Sequence, residues 1–469
     1  MAGILHALAA PVSLASRSLL LGQRPKIAAK MVNVGIKRSL HPDCLSAKTP
    51  PFDIYYPTSP ATSTSATPAH SMPWLPTYQN GAQWSQFALG DKLGETLSEL
   101  LIGTIAYALF SRLAIAAHAD GDLCGKEGKY RVVIFSHGLA TWGSFYSTLC
   151  ASVANRMGVV VVAIDHNDGS ATRARGKGGE VLYERVEKET EMAVRQRQLR
   201  TRVEEVKECW AFLKGVNEGT AEGLDMFRGK LDVDGYCAMG HSFGGGTAAA
   251  VSDDPECLGA GEKNASEKRA SRLAQERARR AAANEDRLEP RRKTRMKKRC
   301  AERCTGSASS TCALPLVQPL NRRLLPHQAL PDLPRLHLTR SFDRAVCLDP
   351  WLIPVKDAGF LGGQGTPKLF VTADSGFLSN GKYWRGNCAL IKDFKGDADE
   401  AVRMRGQDHN DVTDIHLVMP SRGGIGADPF FESNMRLVTR FLRDKVGWEE
   451  VAQGGGDDDE DFVQRQEPY

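Results

Sequence analysis

A serine hydroxyl attacks an ester only when a base takes its proton and amides receive the charge that develops on the carbonyl oxygen. Residues 236–247 read YCAMGHSFGGGT, with Ser242 between Gly240 and Gly244 and two further glycines behind it. Gly-x-Ser-x-Gly is the spacing of a nucleophile elbow. A serine turned sharply from a strand into a helix takes strained backbone angles, and side chains at the flanking positions would clash, so glycine is needed there. The turn lifts the hydroxyl above the sheet, and the following helix aims its first amides at the reacting carbonyl. In a chain with 45 glycines the bare pattern is weak. Its surroundings strengthen it: a strand-like lead-in, a Gly/Ala-rich helix after it, and later an Asp and a His at strand ends, in the chain order such hydrolases use.

His409 is the expected base, in a polar loop near the C-terminal end of the chain. His241 adjoins Ser242 but should point elsewhere on the turn, His137 belongs to another loop, and His166 follows a different strand; His416 is the nearest competitor. Two acids are open on the residues alone. Asp349 ends the strand after the nucleophile helix, and Asp374 ends the next one. Either would hold the imidazole tautomer and stabilise its charged form. The oxyanion hole needs two backbone amides: Phe243, directly after the nucleophile, and Leu139, in the loop Ser136-His137-Gly138-Leu139. No cofactor and no metal is required by such a mechanism.

Placing these groups at one cleft requires a parallel sheet. Residues 131–135 (RVVIF), 158–164 (GVVVVAI), 234–239 (DGYCAM), 344–348 (RAVCL) and 368–372 (KLFVT) read as strands, and 158–164 is apolar throughout rather than alternating, as parallel sheets buried on both faces require. Residues 52–57 (FDIYYP) add another. Helical patterns fall at 93–117, 145–157, about 180–216, 244–251 and 435–446. The fold class is therefore α/β, a doubly wound, mostly parallel sheet flanked by helices.

The chain has 469 residues and 42% hydrophobic content, enough for a large core. Its net charge of +5 misleads. The first 42 residues carry six Lys/Arg and no Asp/Glu, and residues 262–303 carry sixteen Lys/Arg against seven Asp/Glu, so the remainder is acidic. The basic balance gives no argument for a nucleic-acid partner. Eleven scattered cysteines do not make a small disulfide framework, and no zinc spacing is completed. No run of eighteen apolar residues appears.

The ordered blocks FDIYYP (52–57), MPWLP (72–76), VVIFSHGL (132–139), AIDHNDGSA (163–171), the Arg/Gln/Glu-rich helix near 196–209, GHSFGG (240–245), CLDPW (347–351) and the His409 segment followed by Asp414 resemble the plasma/type II platelet-activating factor acetylhydrolases, calcium-independent phospholipases of the α/β-hydrolase fold. The resemblance implies Ser242 as nucleophile, Asp349 as acid, His409 as base, and Leu139 and Phe243 as oxyanion amides. It implies a phospholipid substrate, cleaved at a short sn-2 acyl ester through an acyl-enzyme, and contact with a membrane or lipoprotein surface, for which an amphipathic helix at 93–117 is a candidate. A serine esterase or lipase acting on another ester, and a non-catalytic protein that binds lipid or nucleic acid through its basic tract, are the alternatives.

The departure from that family is residues 254–341, a basic and then Pro/Leu/Ser-rich stretch, expected as a disordered insertion, a basic interaction tract, or sequence foreign to the protein. The expected organisation is a leader at 1–48, core at 49–253, the insertion at 254–341, core again at 342–448, and an acidic tail at 449–469. The leader has transit-peptide composition or is a disordered tail, and the expected location is organellar or cytoplasmic rather than secreted. Oligomeric state is not readable from these residues.

Overall fold

The computed structural model describes residues 34–38, 49–58, 72–93, 103–111, 113–115, 117–125, 128–176, 178–254, 342–360, 366–375, 382–396, 399–415, 429–446 and 466–468. Most of the expected leader, nearly all of the 254–341 insertion, most of the acidic tail and His416 lie outside them, whereas residues 34–38, placed within that leader, form a strand that pairs with residues 53–57.

The strands in chain order are β1 (Val34–Arg38), β2 (Phe52–Pro57), β3 (His118–Ala119), β4 (Tyr130–Ser136), β5 (Val160–Ile164), β6 (Arg173–Gly176), β7 (Gly179–Leu182), β8 (Leu231–His241), β9 (Phe342–Leu348), β10 (Lys368–Ser375), β11 (Glu400–Asp408) and β12 (Gln466–Pro468). All but the β6–β7 hairpin form one sheet in the order β12-β11-β10-β9-β8-β4-β5-β2-β1-β3. From β5 through β4, β8, β9, β10 and β11 every neighbouring pair is parallel. Antiparallel pairing joins β5 to β2, β2 to β1, and β11 to β12. This is the doubly wound, mostly parallel sheet that the strand–helix alternation predicts, in the α/β-hydrolase arrangement that the resemblance implies. β8 and β9 pair directly, Ala238 opposite Ala345, so the two chain segments flanking the insertion build one sheet.

The helices are α1 (Tyr78–Leu93), α2 (Thr104–Phe110), α3 (Ser147–Met157), α4 (Glu191–Glu218), α5 (Phe243–Ser252), α6 (Ile353–Asp357), α7 (Lys382–Phe394) and α8 (Pro429–Val446). They cover both faces. On one face Val133, Phe135, Val161 and Val346 pack with Leu149 and Val153 of α3 and Met435 and Phe441 of α8. On the other, Val132, Ile134, Val162 and Ala345 pack with Leu199 and Val203 of α4 and Ala248 of α5. Successive residues of each strand feed opposite cores, so β4, β5 and β9 have no polar face to show.

Two helical expectations are corrected. The helix at 93–117 is not continuous: α2 stops at Phe110, and residues 94–102 are outside the described set. Beyond α2 the backbone turns to the MPWLP block. Trp74 N donates to Leu113 O and Ile115 N donates to Met72 O, both at 2.9 Å. Tertiary pairing there overrides the leucine spacing. The helix placed from about residue 180 begins at Glu191, because residues 179–182 pair with 173–176 as a hairpin, turned where Gly179 takes φ 111°.

The six cysteines among the described residues are all free. The functional candidates leave the sheet together. Leu139 follows β4, Ser242 follows β8, Asp349 follows β9 and His409 follows β11. These are carboxyl ends of parallel strands, where open α/β sheets form their clefts.

Candidate active site

Ser242 has φ 56° and ψ −118°, a conformation that L residues adopt only under constraint. The constraint is visible. Ser242 N donates to Leu348 O at 2.9 Å, while Ser242 O accepts from Gly246 N at 3.0 Å and from Trp351 N at 2.8 Å. A Cβ at Gly240 would collide with the Gly244 carbonyl, and one at Gly244 would collide with the Ser136 carbonyl. At Gly245 it would come to 3.0 Å from Pro350, and at Gly246 to 2.6 Å from Trp351 O. The glycines therefore let α5 lie against both the β4 loop and the Asp349-Pro350-Trp351 turn, which links GHSFGG to CLDPW physically.

Asp349 also sits at positive φ, 37°. Its amide donates to Val371 O at 2.6 Å, and Ala373 N donates to its Oδ1 at 3.1 Å. Its Oδ2 lies 2.5 Å from His409 Nδ1. The carboxylate thus faces the ring from a fixed position and leaves Nε2 as the nitrogen able to accept a proton. The side chain of Asp374, the alternative acid, lies outside the described residues. The His409 ring rests on that of His241, with centroids 4.5 Å apart. His241 is buried, bonds through Nδ1 to Tyr146 Oη at 2.9 Å, and is held neutral by burial. It backs the base rather than facing the cleft.

Ser242 is 8% exposed. Among the described residues no hydrogen bond to its Oγ appears, so the serine and His409 make no closed contact. Such bonds are commonly long without substrate and tighten when it binds. The amides of Leu139 and Phe243 likewise have no partner among the described residues, whereas their neighbours are engaged. Gly138 N donates to Tyr146 Oη at 3.1 Å, and Ala140 N to Ser170 O at 2.7 Å. Phe243 is the first residue of α5, where the amide has no intrahelical acceptor.

Three sets of contacts escaped the sequence reading, although Asp414 and His166 are singled out in it. Beneath the Ser136–Leu139 loop, Arg202 is fully buried and pairs with Asp168 through Nε at 3.1 Å. Beside it, Ser136 Oγ lies 2.8 Å from His166 Nε2, and His166 Nδ1 lies 2.6 Å from Glu205 Oε2. This Ser-His-Glu string has the connectivity of a catalytic triad, but Ser136 is 2% exposed and His166 fully buried. Burial and the nearby Arg202 guanidinium keep His166 neutral, and burial and Asp168 push Glu205 up. It is a sealed structural string. Third, Asp414 accepts from Trp74 Nε1 at 3.0 Å, Thr148 N at 3.0 Å and Ser147 Oγ, so the His409 loop is tied to the MPWLP block and to the first turn of α3. Burial pushes this carboxyl up to about 6 against those hydrogen bonds.

Residues 29–260 match the family described as platelet-activating factor acetylhydrolase, isoform II. Over that stretch, just under half of its length, the chain is similar to this family. The platelet-activating factor acetylhydrolase of Cavia porcellus is 32% identical over 174 residues, 33% of this chain and 39% of that protein. The Gallus gallus protein of the same name is 27% identical over 222 residues, 41% of this chain and 49% of its own length. The chain thus spans less than half of either relative. Among solved structures, a ferulic acid esterase from Streptomyces cinnamoneus aligns over 93% of this chain and 97% of its own, at 15% identity and a TM-score of 0.47. Leu139, Ser242 and Phe243 lie inside the family match. Asp349 and His409 lie beyond residue 260, and their placement beside the elbow rests on geometry alone.

Proposed function

We propose that this chain is a serine esterase that hydrolyses the short sn-2 acyl ester of platelet-activating factor-like and oxidised phospholipids without calcium. The observation that carries it is the Asp349 Oδ2–His409 Nδ1 contact at 2.5 Å, set beside a serine in a strained elbow. The family match and the names of its relatives support the substrate class.

In this reading Ser242 Oγ attacks the acyl carbonyl carbon while its proton passes to His409 Nε2. Asp349 holds Nδ1–H and stabilises the imidazolium. The amides of Leu139 and Phe243 receive the oxyanion. Gly138 lets this loop lie against the elbow, since a Cβ there would come to 2.8 Å from Tyr146 Oη and 3.4 Å from Ser242 Cβ. The tetrahedral intermediate collapses, the C–O bond to the lysophospholipid breaks, and the imidazolium protonates the departing oxygen. Water then attacks the acyl-enzyme, giving up a proton to His409, and the acid is released with Ser242 restored.

Lipid contact has a surface to start from. Phe87 of α1 is 45% exposed and packs its ring on Tyr183 at 5.5 Å, next to Leu182, which is 42% exposed. Purified protein should turn over an sn-2 acetyl phospholipid with kcat/KM at least about 10²-fold above its sn-2 palmitoyl counterpart, and excess chelator should leave the rate unchanged. Equal rates on both chains would reject the short-acyl assignment. Loss of turnover with chelator would reject the metal-free mechanism.

A further inference from the structure

We infer that Arg202 is a positioning residue that sets both amides of the oxyanion hole at once, an assignment resting on the serine-esterase reading above. Arg202 lies on α4, and its guanidinium reaches both donors' supports. On the Leu139 side, Nη1 donates to His137 O at 2.6 Å and to Ser136 Oγ at 3.3 Å. Nη2 donates to Ser170 Oγ at 2.6 Å, and the carbonyl of that serine takes the Ala140 amide. Leu139 is thereby bracketed: the carbonyl two residues before it and the amide one residue after it are both tied to the Arg202–Ser170 pair. Its own amide is left over. On the other side, Arg202 Cζ stands 4.5 Å from the centroid of the Phe243 ring, the side chain of the residue that carries the second amide. Nε is held by Asp168 Oδ2 and Ser170 Oγ, so the group cannot swing away.

A buried ion pair is costly to desolvate and is weak support for stability on its own. Apolar packing would fill this space at lower cost. What apolar packing cannot do is bind a carbonyl, two hydroxyls, a carboxylate and an aromatic face from one rigid plane. A guanidinium has five donors in a fixed fork and a face that stacks, whereas lysine has neither. The buried cation also borders the segments that carry both amides, in surroundings where its field is weakly screened. Arg202 therefore acts on the transition state through the two amides and never touches substrate.

The test compares wild type with Arg202→Met/Asp168→Asn, which removes the pair together so that no lone charge stays buried, and with Arg202→Lys. Each protein is checked for native unfolding in urea and assayed on a short-acyl oxoester and its thionoester, whose sulfur is a poor acceptor for amide donors. Expected is a kcat loss of about 10²-fold on the oxoester, KM within about 3-fold, and a collapse of the wild-type preference for oxoester over thionoester. Arg202→Lys should show the same preference change with a smaller kcat loss, and it decides the matter should the double variant fail to fold. Unchanged kcat in a folded variant, or reduced kcat with an unchanged oxo/thiono preference, overturns the inference. Wild-type protein inert on both esters would instead reject the esterase reading beneath it.

Discussion

Asp349→Asn lowers kcat by about 10⁴-fold, with a urea midpoint close to wild type. The size follows from which way the amide must face. Ala373 N donates to Asp349 Oδ1 at 3.1 Å, and His409 Nδ1 lies 2.5 Å from Oδ2. An asparagine keeps its carbonyl oxygen toward the Ala373 amide, because reversing it would set two donors against each other. Its NH₂ then points at His409 Nδ1 and donates to it. The imidazole is forced into the tautomer with hydrogen on Nε2, and that nitrogen can no longer take the Ser242 proton. Fold and ring position survive while the base is switched off. Steady-state kinetics on the short-acyl ester read the loss directly, and activity within about 10-fold of wild type would remove Asp349 from the mechanism.

Gly244→Ala is the second large effect, and it acts on the fold first. The added methyl collides with the carbonyl of Ser136 and crowds that of His137, which is 2.7 Å away. Both are backbone atoms at the end of β4, a central strand, so no rotamer change relieves the clash. Overpacking against fixed atoms costs about 3 kcal/mol or more, a large share of the roughly 5–15 kcal/mol that holds an ordinary domain together. The strand end that must retreat also carries the Leu139 loop, so activity should fall further than the folded fraction does. Gly125→Ala is the control: a Cβ there meets nothing within 4 Å, and its urea midpoint should match wild type. A Gly244→Ala protein as stable as that control would show that the close approach of α5 to β4 is not what the glycine is for.

The parts of this site legible in the sequence are those fixed by local geometry. Glycines around Ser242 announce an elbow because nothing else fits the bend. Uninterrupted apolar runs announce strands covered on both faces. The choice between Asp349 and Asp374 was not legible from the residues, because it depends on where the neighbouring strand presents the Ala373 amide. The leucines between 93 and 117 misled because their spacing says nothing of the MPWLP backbone that pairs with residues 113–115. α4 hid its role for another reason. Arg195, Gln198, Arg202 and Glu205 recur every three or four residues, like a solvated face, yet all four are buried among Leu199, Val203 and Val206. Polar type alone points outward. Only the carboxylate of Asp168 and the hydroxyls of Ser136 and Ser170, each on another element, draw Arg202 inward.

One measurement bears most directly on the claim that Ser242 is the nucleophile. The full chain is labelled with a fluorophosphonate, digested, and the modified peptide sequenced. A single adduct on Ser242 is expected, strongly diminished in His409→Ala. An adduct on Ser136, whose hydroxyl already bonds to a histidine backed by Glu205, or protein that stays unmodified at inhibitor concentrations that saturate ordinary serine esterases, would contradict it.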